Sequence, residues 1–80
     1  MRILVVDDDS LAGEMTGAVL EELGHEVILS EDGVDAAIKL NADDGIEMVI
    51  SDMNMPMVSG IDLFRELREQ GSSLPFILLT

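Results

Sequence analysis

The sequence predicts an α/β protein: a doubly wound parallel sheet with the element order β-α-β-α-β-α-β. Three observations predict it. Short apolar runs, led by "ILVV" at residues 3–6, have the β-branched-rich character of strands covered on both faces. Stretches with apolar residues at helical spacing alternate with those runs. Glycines and capping residues punctuate the joins. Buried strands alternating with amphipathic helices mean parallel pairing through right-handed crossovers.

The elements follow in order. After residues 3–6, Leu11, Met15, Ala18, Val19 and Leu23 recur at helical spacing; Asp9 or Ser10 suits the cap and Gly24 the stop. "EVILS" at residues 26–30 reads as the second strand, and "EDGVDAAIKLNA" as a helix with Val34, Ala37 and Ile38 on one face. "EMVIS" at residues 47–51 is the third strand. Ser59 and Asp62 form a capping pair for a third helix carrying Ile61, Phe64 and Leu67, which ends at Gly71. "PFILL" at residues 75–79 is the fourth strand, where Pro is tolerated at the first position. Glu21, Glu22, Glu66 and Glu69 read as solvated helix faces, and His25, just after a helix stop, as a surface residue.

Composition narrows the function. The 80 residues suit one small domain, and a chain this short buries only about 60–65% of its unfolded surface. Four Lys and Arg stand against 17 Asp and Glu, for a net charge of -13. There is no basic patch to meet phosphates, so direct nucleic-acid binding by this segment is not expected, whereas cations and basic partner surfaces are compatible. The absence of Cys excludes a disulfide scaffold and a thiolate metal site. The apolar runs are too short for a membrane span or signal peptide. A cytoplasmic location is expected.

In such sheets ligands sit beyond the carboxyl ends of the strands, where the strand order reverses. The acids obey this rule. Asp7, Asp8 and Asp9 follow the first strand, Asp52 follows the third, and Thr80 closes the fourth. If the first and third strands are neighbours, Asp7, Asp8 and Asp52 meet at one edge. Two unit charges about 4 Å apart cost roughly 4 kcal/mol at an effective dielectric near 20. Protonating one carboxyl or holding a cation relieves this, and hard divalent cations prefer oxygen ligands. The reading is a Mg²⁺ site. Asp9 and Ser10 read as a helix cap rather than as ligands. Asp7 and Asp8 could also serve the first helix dipole. Met53, Met55 and Met57 alternate through the following loop, as loop packing or as a pliable partner surface.

"VVDDDS", "VISDMNMPMVSGIDLF" and "PFILLT" together resemble the receiver domain of two-component response regulators, close to the single-domain chemotaxis type. The resemblance covers the whole chain and implies a flavodoxin-like receiver fold. By it, Asp52 is the phosphoacceptor, taking a phosphoryl group from a phosphohistidine of a sensor histidine kinase or phosphotransfer protein. Asp7 and Asp8 hold Mg²⁺, Asp8 directly and Asp7 largely through water. The backbone carbonyl of Asn54 is a further ligand, and Thr80 is the switch hydroxyl that turns toward the phosphoryl oxygens. Pro56 and Gly60 shape the loop. The implied role is a signalling switch, not a turnover enzyme, with an output domain or target protein as reader.

The alternative resemblance is to haloacid-dehalogenase-like phosphatases, with Asp7 as nucleophile, Asp9 completing a D-x-D pattern, and Mg²⁺. It leaves Asp52, Pro56 and Gly60 idle, and it expects Thr or Val where Leu11 stands. A receiver-like module that only binds partners is a third reading. Receivers continue beyond a fourth strand with a helix, a fifth strand carrying a Lys and an aromatic, and a fifth helix. Neither Lys39 nor any other residue stands in that Lys position. Residues 1–80 therefore read as the N-terminal two-thirds of a receiver, a fragment expected to expose apolar surface and to self-associate.

Overall fold

The computed structural model describes residues 1–79. Seven elements follow in the predicted order: β1 (Arg2–Val6), α1 (Ser10–Glu22), β2 (Glu26–Ser30), α2 (Gly33–Ala42), β3 (Met48–Asp52), α3 (Gly60–Glu69) and β4 (Phe76–Leu79). The strands form one parallel sheet in the order β2-β1-β3-β4. The chain steps from β1 outward to β2, then crosses back past β1 to β3 and β4. The reversal falls between β1 and β3, which makes their carboxyl ends the switch point. Val6 stands opposite Ser51 in that pair, so the next residues along, Asp7 and Asp52, leave the sheet side by side.

Strand ends differ from the sequence reading by one residue. β1 begins at Arg2, β3 runs to Asp52, and β4 begins at Phe76. Pro75 precedes β4, yet its carbonyl accepts the Val49 N–H at 3.0 Å, so the ring's missing donor costs the ladder nothing.

Alternation along the strands sends side chains to two separate cores. On one face Leu4, Val6 and Val49 pack with Ala36 of α2 and with Leu63 and Leu67 of α3. On the other, Ile3, Val5 and Ile50 pack with Leu20 of α1, Val27 and Met48. This is the doubly wound arrangement that near-continuous apolar strands demand. Phe64 and Phe76 meet edge-to-face at 5.4 Å, and Arg68 lies over the Phe64 ring while donating to the Leu74 carbonyl at 2.8 Å. That contact fixes the turn from α3 into β4.

The face of α1 differs from expectation. Leu11, Met15, Val19 and Leu23 are exposed, and the helix instead lays Gly13, Gly17 and Leu20 against the sheet. A Cβ on Gly17 would come within 3.2 Å of Val27 Cγ1 and 3.4 Å of Leu29 Cδ2. Small residues let the helix axis approach β2 closely, which rotates the larger stripe outward. In α2 the same holds: Ala36 is buried while Val34 and Ile38 are exposed. Only α3 buries its large residues, Leu63 and Leu67; Ile61 and Phe64 are half-buried.

The helix starts follow local chemistry. Asp9, Asp32 and Ser59 each occupy an extended N-cap and accept backbone N–H bonds from the first turn. Gly24 and Gly71 follow the ends of α1 and α3 with φ of 93° and 85°, a region where L side chains are strained. At the amino end of the sheet, the Arg2 guanidinium pairs with Glu26 and Asp43. Those carboxylates raise the pKa of Arg2, and the Arg2 hydrogen bond holds Asp43 below its ordinary value.

Candidate functional site

The carboxyl ends of β1 and β3 gather three acids. One carboxylate oxygen from each of Asp7, Asp8 and Asp52 lies within 4.8 Å of the others; Asp7 and Asp52 are half-buried and Asp8 is exposed. The strand pairing produces this, because Asp7 and Asp52 are the residues that follow the Val6–Ser51 pair.

Asp7 and Asp52 are held by bonds to the backbone. The Asp7 N–H donates to the Ser30 carbonyl at 3.0 Å, and Asp7 Oδ1 accepts the Asp9 N–H at 2.9 Å. Asp9 turns away from the cluster to cap α1, accepting from Leu11 at 3.1 Å and Ala12 at 3.2 Å. The Asp9 reading as a cap thus agrees with its hydrogen bonds, both of which end on Oδ1. Asp52 Oδ1 accepts the Asn54 N–H at 3.3 Å, and the Asp52 carbonyl accepts from Ser51 Oγ at 2.9 Å.

The segment after Asp52 folds back tightly. The Met53 N–H donates to Leu79 and the Gly60 N–H to Met53, both at 3.0 Å. A Cβ on Gly60 would collide with the Asp52 carbonyl oxygen and would lie 2.7 Å from Leu78 Cδ2. Gly60 is therefore required by a close approach, as its place in the motif implied. Within the loop the three methionines divide. Met55 packs against the larger core, whereas Met57 is 92% exposed and holds φ at 68°, the one left-handed non-glycine among the described residues. Thr80 lies outside the described residues.

A cleft of about 470 Å³ adjoins the cluster and shares only Asp7 with it; Glu14, Glu31, Asp32, Asp35 and Lys39 form much of its wall. Here the structure adds a network that sequence reading did not single out. Ser30 Oγ donates to Asp35 Oδ2 at 2.7 Å, and Lys39 Nζ lies 2.9 Å from the same oxygen while donating to the Leu29 carbonyl at 2.5 Å. The Lys39 bond, then the Ser30 bond, hold the Asp35 carboxyl below its ordinary pKa. The i, i+4 spacing of Asp35 and Lys39 was the available signal. His25 lies at the opposite end of the sheet, its Nδ1 3.2 Å from the Met1 amine. No helix among the described residues is long and apolar enough to cross a membrane.

Comparison with known proteins agrees with this layout. Residues 3–80 match the response regulator receiver domain family. Response regulator MprA of Mycobacterium avium is 40% identical over 80 residues, which are 100% of this chain and 35% of that protein. Chemotaxis protein CheY1 of Helicobacter pylori is 37% identical over 83 residues, covering 100% of this chain and 67% of that protein. The chain thus spans about a third of the length of the mycobacterial relatives. A receiver domain protein of Clostridium thermocellum superposes with a TM-score of 0.93 at 32% identity, covering 99% of this chain and 64% of that one. Response regulator TrrA of Thermotoga maritima, solved in complex with Mg²⁺-BeF, superposes with a TM-score of 0.92 at 37% identity, covering 99% of this chain and 68% of that one.

Proposed function

The chain belongs to the response regulator receiver domain family, and from that premise we propose that it is a phosphoacceptor switch in which Asp52 accepts a phosphoryl group from a phosphohistidine protein. The observation that carries the reading is the meeting of Asp7, Asp8 and Asp52 at adjacent strand tips.

The donor set fits Mg²⁺. Three carboxylates offer hard oxygen atoms, and Mg²⁺ binds through one or two carboxylates plus waters. By the family resemblance, Asp8 would hold the ion directly and Asp7 would do so largely through water. The Asn54 carbonyl is assigned as a further ligand. When bound, Mg²⁺ neutralises charge on the carboxylates and on the phosphoryl oxygens. The complex of TrrA with Mg²⁺-BeF supports this chemistry.

The chain's own residues then act in order. β1 and β3 orient Asp7, Asp8 and Asp52 toward one point. An Asp52 carboxylate oxygen attacks the phosphorus in line; the P–N bond to the donor imidazole breaks, and the departing imidazole takes up a proton. Placement and charge neutralisation supply most of the rate in such transfers. The phosphoryl group of the product carries about -1.5 to -2 charges and three acceptor oxygens, in place of the single charge of the Asp52 carboxylate. Thr80 is assigned as the hydroxyl that meets them. The outcome is a change of state read by an output domain or target protein, not turnover of a metabolite, and the proposed setting is the cytoplasm.

Incubation with a small acyl phosphate and Mg²⁺, followed by peptide mapping, tests the reading. Label on Asp52 is expected. Label on Asp7 would instead favour dehalogenase-like chemistry, and no label on either would favour a module that only binds partners.

A further inference from the structure

Gly33 opens α2 and is buried, yet its φ is not in the left-handed region, since only Gly24 and Gly71 have positive φ among the described glycines. Its backbone is thus open to any L residue, and at such a site Gly→Ala ordinarily stabilises by restricting the unfolded chain. What reserves the position for glycine is Val58. A Cβ on Gly33 would lie 2.7 Å from both Cβ and Cγ1 of Val58 and 3.0 Å from its carbonyl oxygen. Carbon atoms settle about 3.5–4.0 Å apart, so Val58 would have to retreat by roughly 1 Å.

Val58 belongs to the loop that leaves Asp52. Its N–H donates to the Pro56 carbonyl at 2.8 Å, and the loop is closed by the bond from Gly60 N–H to Met53 O at 3.0 Å. It also packs, with Met55, against the core that α2 shares with α3. A push on Val58 therefore reaches residues 53–56 through a short, tied segment. We propose that Gly33, which touches none of the three acids, is a positioning residue for the Mg²⁺ site: its missing side chain is the socket that seats Val58, and the seated Val58 holds the loop after Asp52 where the site needs it. The inference rests on the metal reading above and assigns that site a determinant on a separate element.

The test is calorimetric titration of the 80-residue chain with MgCl₂, with amide NMR of Met53 and Asn54 as a second readout. Gly33→Ala is expected to weaken Mg²⁺ binding by roughly tenfold, within the range that misplacement of about 1 Å produces, and to shift both amides before metal is added. Val58→Gly removes the two carbon atoms that lie nearest the added methyl group and leaves only the carbonyl oxygen at 3.0 Å. The double variant is expected to match Val58→Gly alone within about threefold, a strong departure from additivity. If Gly33→Ala fails to fold, the double variant is expected to recover the fold, with the Mg²⁺ affinity of Val58→Gly alone. Wild-type affinity in Gly33→Ala, or a double variant no better than additive, overturns the proposal. A wild-type chain that takes up no Mg²⁺ overturns the metal reading itself, and this inference with it.

Discussion

Asp7 and Asp52 come from different strands, yet their carboxylate oxygens lie within 4.8 Å of one another. If that proximity serves a cation, the acids must differ in their effect. Asp8→Asn and Asp52→Asn are expected to lower Mg²⁺ affinity by about tenfold or more, the scale seen when a metal site loses a supporting group. Asp9→Asn is expected to leave it within about twofold, because Asn caps a helix as well as Asp does. Titration calorimetry separates the two classes, and equal losses at Asp8 and Asp9 would contradict the assignment.

The Gly60–Asp52 contact gives a stability prediction. Gly60→Ala forces a methyl into the Asp52 carbonyl and Leu78. Overpacking of this kind costs about 1–3 kcal/mol, measurable as a lower urea midpoint with an unchanged slope. An unchanged midpoint would mean that the loop gives way freely.

Met57 predicts the opposite sign. It holds φ at 68° with almost no burial. An L residue in that region is strained by roughly 1–2 kcal/mol, and Asn tolerates it better. Met57→Asn is expected to raise stability by about 0.5–1 kcal/mol, since little packing is lost. Destabilisation would show that Met57 makes contacts its exposure hides.

The pH dependence follows from Asp35. Its folded pKa is lowered, first by Lys39 and then by Ser30. Such a group adds stability that is present above its unfolded pKa and is lost as pH falls through the folded value. Asp35→Asn should therefore lower the urea midpoint at pH 7, and the gap to wild type should close below about pH 3.9. The side chain is 41% exposed, so solvent screening keeps the effect to a fraction of 1 kcal/mol, shrinking further with salt. A gap that does not narrow as pH falls below about 3.9 would assign it to packing instead.

The outward stripe of α1 bears on association. Leu11, Met15, Val19 and Leu23 are exposed together, and contiguous apolar surface of this kind favours contact between chains. The 80-residue chain is expected to show a mass that rises with concentration in sedimentation equilibrium. Met15→Gln with Val19→Gln should lower that rise; a strict monomer at every concentration would refute it.

The strand-end acids and the order of elements were legible in the sequence because they rest on local signals. β-branched runs, caps at Asp9 and Ser59, and a carboxylate after each inner strand all survive folding unchanged, whereas the cap at Asp32 reads in the sequence as part of its helix. The helix faces were less legible. Periodicity finds a stripe of large apolar residues, but it cannot say which stripe the sheet takes. In α1 the sheet took Gly13 and Gly17. Two glycines one turn apart inside a helix cost roughly 1 kcal/mol each against Ala, and that cost was the overlooked sign of close approach. Gly33 was missed for a related reason: the need for it lies in Val58, far along the chain, and no local pattern reveals it.

β1 is buried along nearly its whole length and is bonded on both sides, to β2 and to β3. Its amides should be the slowest in the molecule to exchange with deuterium. The first two acids are thus mounted on the stiffest strand, while Asp52 opens into a loop with an exposed, strained methionine. Two of the three acids therefore share the foundation of the sheet, and the geometry of the cluster depends on how firmly the bonds at Met53 and Gly60 tie down the third.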